Sequence, residues 1–285
     1  MSEYQLVDTE ETLSICFNEL KDSIWFAVDT EFERVNTYYP KLCLIQIANL
    51  KKTFIIDPIK LNDIDAIYTL LYDESITKVL HSAHQDIEIF FNIMDKIPSP
   101  LFDTQIASPL FGFNRGIGYA NLINDALNIG LDKSQSRTDW TKRPLTDAQL
   151  RYAADDVIYL ARVYHHFVSL ITDSISEELI KSFAVLYLPE TYRPNPEDMW
   201  KKIFAVRRLK GKSLTIAKKL AAWREVTARK NNIPRKWVLS NQALVELAKQ
   251  MPVKIADVLT VKEIKQKDAK RYAEEWLAII AGVNT

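Results

Sequence analysis

Asp29-Thr30-Glu31 follows directly on the apolar run Ile24-Trp25-Phe26-Ala27-Val28. A run of this kind reads as a buried strand. Two carboxylates one residue apart at its exit point to the same side, because strand side chains alternate with period two. Like charges held together beside a core repel each other and resist desolvation. A fold tolerates that arrangement when a cation sits between them. A lone D-x-E at a solvated strand end would carry no such meaning, so the reading depends on what else the chain supplies.

The segments that follow alternate between strand-like and helix-like. Leu42-Cys43-Leu44-Ile45-Gln46-Ile47-Ala48 and Thr53-Phe54-Ile55-Ile56-Asp57-Pro58 read as a second and third strand, joined to the first by short turns as in a meander. Lys78-Val79-Leu80-His81-Ser82-Ala83 is a fourth strand leading into the helical pattern Asp86-Ile87-Glu88-Ile89-Phe90-Phe91, and Leu101-Phe102-Asp103 is a weak fifth strand or a helix start. A helix is expected from about Asp147 to about Phe167. Thr146 and Gln149 make its capping box, and Leu145 and Leu150 stand at the staple positions. The expectation is an α/β domain with a mixed sheet flanked by helices.

Three prolines in Pro189-Glu190-Thr191-Tyr192-Arg193-Pro194-Asn195-Pro196 mark a linker, and everything beyond is helical, with breaks at Asn231-Asn232-Ile233-Pro234 and Gln250-Met251-Pro252. The expected division is 1–190, a linker over 191–204, and a helical domain over 205–285. Formal charge is zero overall, yet from Pro196 onward there are 20 Lys and Arg against 9 Asp and Glu, a net of +11. The remainder is therefore net −11. A basic helical part joined to an acidic body suits a polyanionic partner for the former, although lysine-rich helices are also common without one.

The 285 residues are 47% hydrophobic, enough for a sizeable core, and no apolar run approaches the length of a membrane span. Met1-Ser2-Glu3-Tyr4 lacks the pattern of a secretory leader. Cys16 and Cys43 give neither a disulfide framework nor a metal knuckle. A cytoplasmic location is the expectation, with no membrane partner and, since no oligomerisation signature stands out, a monomer.

Two further features complete the acidic set. Asp86 falls in the first turn of its helix, where an acid is electrostatically welcome. Tyr152 and Asp156 are spaced i, i+4 and share a helix face, while Asp155 points about a quarter-turn away. Asp29, Glu31, Asp86 and Asp156 are hard oxygen ligands that suit Mg²⁺ or Mn²⁺ rather than zinc. Their roughly four negative charges match two divalent cations, and such a pair, ~3.5–4 Å apart, can clamp an in-line displacement at phosphorus. Tyr152 would orient the attacking water or accept its proton. Its ordinary pKa of about 10 favours positioning.

The order of these motifs resembles ribonuclease D. Phe26-Ala27-Val28-Asp29-Thr30-Glu31-Phe32 with Tyr38-Tyr39-Pro40-Lys41-Leu42-Cys43-Leu44-Ile45-Gln46-Ile47 is similar to the family's first exonuclease motif. His81-Ser82-Ala83-His84-Gln85-Asp86 is similar to the second. Ser136-Arg137-Thr138-Asp139-Trp140-Thr141-Lys142-Arg143-Pro144-Leu145, running into Tyr152-Ala153-Ala154-Asp155-Asp156-Val157-Ile158-Tyr159-Leu160, is similar to the third. The likeness is to the tyrosine branch of the DEDD exonuclease superfamily and covers most of residues 1–170. It implies an RNase H-like fold and metal-dependent 3′-to-5′ hydrolysis of RNA to nucleoside 5′-monophosphates, on tRNA precursors or other structured RNA with a free 3′ end. It also implies Asp29, Glu31 and Asp156 around one metal, Asp29 and Asp86 at a second, Tyr152 beside the attacking water, and Glu31 with the backbone of Thr30 near the terminal 3′-hydroxyl.

Leu220-Ala221-Ala222-Trp223-Arg224-Glu225 and Ala228-Arg229-Lys230-Asn231-Asn232-Ile233-Pro234-Arg235-Lys236-Trp237-Val238-Leu239 resemble the helicase-and-RNase-D C-terminal (HRDC) domain, a small helical bundle assigned to nucleic-acid binding. Lys210, Lys212, Arg229, Lys230, Arg235 and Lys236 are the candidates for phosphate contacts, with Trp223 and Trp237 read as core anchors. Two other functions share these features. A 3′-5′ DNA exonuclease would use the same catalytic set. A catalytically silent RNA-binding module would commonly lack one of the ligands, and here all are present.

Overall fold

The computed structural model describes residues 4–132 and 134–284, so Met1, Ser2 and Glu3 of the leader argument lie outside the described residues. The chain divides into two units, one of residues 1–33 and 40–192 and the other of residues 34–39 and 193–285.

The first unit contains β1 (Gln5–Val7), α1 (Glu10–Leu20), β2 (Trp25–Glu33), β3 (Lys41–Ala48), β4 (Thr53–Ile56), α2 (Asp65–Tyr72), β5 (Thr77–Leu80), α3 (His84–Met94) and β6 (Leu101–Asp103). It continues through α4 (Thr104–Ala107), α5 (Tyr119–Leu127), α6 (Asp147–Val168), α7 (Asp173–Phe183) and α8 (Pro189–Tyr192). The six strands lie in the order β1-β4-β3-β2-β5-β6. β2, β3 and β4 form the expected antiparallel meander, and β5 and β6 add in parallel beyond β2. β1, paired parallel to β4, was not legible in the sequence because three residues carry too little periodicity.

One boundary differs in a way that matters. β2 does not stop at Val28 but runs to Glu33, with Asp29 opposite Gln46 and Glu31 opposite Leu44 on β3. The carboxylates are therefore mid-strand, and the register slips only after them, between Glu31 and Phe32. A paired strand fixes two side chains on one face more rigidly than a frayed strand end does.

α6 packs across β2, β3 and β4. Its start is set by the reciprocal Thr146–Gln149 capping box, and the loop before it is anchored by Arg143. The guanidinium donates Nε to Asp57 Oδ2 at 2.5 Å and Nη2 to Asp57 Oδ1 at 2.8 Å, and also bonds the Cys43 and Trp140 carbonyls. Asp57 is buried at the end of β4, so this bidentate pair ties the third motif to the sheet.

The second unit holds α9 (Gly211–Lys230), α10 (Arg235–Val238), α11 (Asn241–Gln250), α12 (Ile255–Val258) and α13 (Gln266–Asn284) around a core that includes Leu220, Leu244 and Trp276. The proline-rich stretch read as a linker over 191–204 is structured. Residues Pro196–Lys202 form a 3₁₀ helix, and Met199 and Ile203 are buried. Segment 34–39 also belongs to this unit. Tyr38 donates its hydroxyl to Glu225 at 2.5 Å and accepts from Arg229 and Arg235 at 3.0 and 2.8 Å. Glu225 is fully buried, and burial alone would raise its carboxyl. Hydrogen bonds from Arg235 and Tyr38 and the charges of Arg235 and Arg229 outweigh that and hold it below its ordinary value. No helix among the described residues is long and apolar enough to cross a membrane.

Candidate active site

Strand alternation and helix spacing bring the predicted acids together. Ligand oxygens of Asp29, Glu31 and Asp156 all lie within 4.8 Å of one another. Asp29 and Glu31 come from β2 and Asp156 from the α6 face that packs on it. Tyr152, one turn earlier on that face, lines the same cavity as Asp29 and Asp156. Asp86 stands in the first turn of α3 and is buried. It accepts the Thr30 hydroxyl at 2.5 Å, which orders its carboxylate beside the other three without joining their close group. Thr30 is buried between the two acids of β2, its hydroxyl serves Asp86, and its backbone amide also favours the charged forms of Asp29 and Asp86.

The electrostatics record the crowding. Burial pushes Asp29 well above the usual carboxylate range, and Asp156, Asp86 and Glu31 push it further. Glu31 is pushed up to about 9 by burial and then by the charges of Asp156 and Asp86. Asp156 rises to about 8, through burial and the charge of Asp155, and Asp86 to about 6, through burial opposed by the Thr30 hydrogen bond. Tyr152 is raised by burial and by Asp156, Glu31 and Asp29, so its phenol is neutral. Carboxylates that repel this strongly at such separations fit divalent cations, and the all-oxygen donor set fits Mg²⁺ or Mn²⁺.

Four residues around the site were not singled out from sequence. His81 and Tyr119 line the cavity with Asp29, Tyr152, Asp156 and Leu160. Tyr119 donates its hydroxyl to the Asp156 carbonyl at 2.5 Å. Gln46, paired across the ladder with Asp29 and so on the same face, is fully buried, and its amide has no partner among the described residues. Asp103 accepts from the backbone N–H groups of Ser82, Ala83, Gln105 and Ile106. It thereby holds the turn before α3, where Ser82 takes a left-handed φ of 58°. His81, Gln46 and Asp103 lie within recognisable segments, but nothing in their spacing shows that they face the carboxylates.

A family profile described as 3′-5′ exonuclease matches residues 4–172, and an HRDC domain profile matches residues 213–280. Ribonuclease D of Pseudomonas paraeruginosa is 33% identical over 98% of this chain and 74% of its own length. The chain belongs to the ribonuclease D family. Within that family it is a metal-dependent 3′-to-5′ exoribonuclease, and the alternative of a DNA exonuclease is not favoured. The crystal structure of Escherichia coli RNase D, an exoribonuclease involved in structured RNA processing, superposes with a TM-score of 0.86 at 30% identity, over 100% of this chain and 76% of that one. Brucella melitensis NrnC with bound Mg²⁺ is 27% identical with a TM-score of 0.52, covering 61% of this chain and 86% of that one.

In the helical unit, Lys210, Lys212, Lys230 and Lys236 are exposed. Arg229 and Arg235 are instead engaged with Glu225 and Tyr38. Trp223 packs edge-on against Tyr272 and Trp276 and donates to Glu275 at 2.6 Å. Trp237, expected in the core, is 55% exposed, because α10 is a single turn whose Val238 faces inward in its place.

Proposed function

We propose that the chain removes nucleotides one at a time from the 3′ end of RNA as 5′-monophosphates, using two divalent cations, with tRNA precursors or similarly structured RNA as substrates in the cytoplasm. The observation that carries this reading is the meeting of Asp29, Glu31 and Asp156 within 4.8 Å, with Asp86 beside them. Asp29, Glu31 and Asp156 would hold one cation, and Asp29 with Asp86 the second. Bound there, the cations supply activation of water and stabilisation of the departing oxygen. Tyr152, a neutral phenol on the α6 face, orients the attacking water by hydrogen bonding rather than removing its proton. Thr30 holds Asp86 through its hydroxyl, and its backbone with Glu31 receives the terminal 3′-hydroxyl.

The charge of the helical part supports the same reading. We take 1–190 as the catalytic domain and 205–285 as a nucleic-acid-binding domain, acting as a monomer. Its net charge of +11 from Pro196 onward suits the RNA backbone. Lys210, Lys212, Lys230 and Lys236 offer ammonium groups at the surface, and Arg229 and Arg235 contribute any phosphate contact from within the Glu225 cluster. Digestion of a 5′-labelled RNA tests the proposal. Stepwise shortening from the 3′ end in Mg²⁺, abolished by chelator, is expected. Internal cuts, or indifference to chelator, would contradict it.

A further inference from the structure

Trp237 of α10 is more than half exposed and lines a cavity of about 700 Å³ in the helical unit. That volume falls in the range of small-ligand sites, ~300–1,000 Å³. Tyr272 and Trp276 of α13 belong to the core and line the same cavity. The Tyr272 hydroxyl and Trp276 Nε1 are buried and have no hydrogen-bond partner among the described residues. Burial raises the Tyr272 phenol, so it keeps its proton. The indole N–H only donates, and the phenol donates or accepts. Buried groups of this kind are normally satisfied, and here the cavity is where a polar partner can come from.

The charged lining is mostly cationic. Lys236, Lys265, Lys267 and Arg271 outnumber Glu263 and Asp268. All four cations are exposed, and none makes an ion pair among the described residues. Lys265 and Lys267 flank Gln266, the first residue of α13, where the helix dipole adds to the attraction for an anion. Lys236 and Trp237 also border a second groove of about 450 Å³, whose other charged residues, Arg34, Lys202, Arg224 and Arg235, are all cations. The exposed indole therefore stands between two basic hollows.

A flat open ring, unmet hydrogen-bonding groups and cations on both sides match an aromatic base carried on a phosphodiester chain. In duplex RNA the base faces are stacked and the edges paired, so only an unpaired nucleotide offers its ring. We propose that the cavity between α10 and α13 takes one unpaired nucleotide of the RNA substrate, its base stacked on Trp237 and its phosphate among Lys236, Lys265, Lys267 and Arg271. The inference deepens the nucleic-acid-binding reading of residues 205–285 and rests on it. A free nucleoside 5′-monophosphate carries the same ring and charge, but only a strand brings the flanking phosphates that the second groove can hold.

Binding of the full chain to fluorescein-labelled RNA is measured by anisotropy in EDTA. The probes are a short oligouridine, an abasic strand of the same length and a blunt duplex, with uridine 5′-monophosphate as competitor. The wild type should prefer the oligouridine to the other two. Trp237→Ala should weaken oligouridine binding about 5- to 100-fold, the range for one stacked base, and change abasic-strand and duplex binding by no more than about twofold. Trp237→Phe, which keeps an aromatic face, should recover most of the loss. Lys265→Gln with Lys267→Gln should weaken the oligouridine and the abasic strand alike and flatten their dependence on salt. A Trp237→Ala chain that binds oligouridine as the wild type does, or weakens all three RNAs by one common factor, would overturn the proposal. So would a monophosphate that binds as tightly as the strand. A wild type that binds none of these RNAs would instead remove the nucleic-acid-binding reading of the helical unit itself.

Discussion

Glu31→Gln should stabilise the metal-free protein while abolishing its activity, and the size of the gain should depend on pH. In the folded chain the Glu31 carboxyl is pushed from 4.5 up to about 9, first by burial and then by Asp156 and Asp86. A carboxyl raised in this way binds its proton more tightly folded than unfolded. Its contribution is therefore most favourable below about 4.5 and is lost as pH rises, until it levels off near 9. At about 1.36 kcal/mol per unit, the interval from 4.5 to pH 7 corresponds to about 3 kcal/mol as an upper limit. Partial exposure and sharing of protons with Asp29 and Asp156 reduce this to about 2 kcal/mol. Glutamine keeps the shape and carries no charge at any pH. Urea unfolding in EDTA should show the variant more stable by about 2 kcal/mol at pH 7, with the gap closing near pH 4 and flat above about pH 9. Millimolar Mg²⁺ should stabilise the wild type more than the variant, through binding to the folded state. A variant that is less stable than wild type in EDTA at pH 8, or whose advantage ignores pH, would show that the acids are not crowded as described.

Other outcomes follow from the same geometry. Asp29→Asn should reduce RNA cleavage on the order of 10³-fold or more, while RNA binding measured by anisotropy in EDTA persists. Tyr152→Phe should lower kcat up to about 100-fold as a loss of water positioning, with Mn²⁺ affinity by calorimetry unchanged. Lys78 is 1% exposed and donates Nζ to the Asp73, Ile76 and Ser99 carbonyls. Lys78→Met should therefore destabilise the first unit by about 2–4 kcal/mol in urea, since three acceptors lose their donor. Lys210→Glu with Lys212→Glu should weaken RNA binding and flatten its dependence on salt, with mononucleotide binding unaltered.

The clustered carboxylates were legible because each rests on a local rule. Asp29 and Glu31 share a strand face by period two, Tyr152 and Asp156 share a helix face by i, i+4, and Asp86 sits where a helix N-terminus favours an acid. The capping box at Thr146 and Gln149 was readable for the same reason. What the sequence hid depends on contacts between distant segments. Asp103 holds the turn before α3 from a neighbouring strand, and Gln46 becomes Asp29's neighbour only through the β2–β3 register. The assignment of residues 34–39 to the helical unit follows from the Tyr38 bonds to Glu225, Arg229 and Arg235, nearly two hundred residues away in the chain. No local periodicity encodes such pairings, and the same long-range demand draws Arg229 and Arg235 toward a buried carboxylate.

Anomalous diffraction from crystals soaked in Mn²⁺ with a nucleoside 5′-monophosphate tests the central claim most directly. Two peaks ~3.5–4 Å apart are expected, one among Asp29, Glu31 and Asp156 and the other between Asp29 and Asp86. Crystals of active enzyme that show no peak among these side chains, or manganese bound only elsewhere on the chain, would contradict the account.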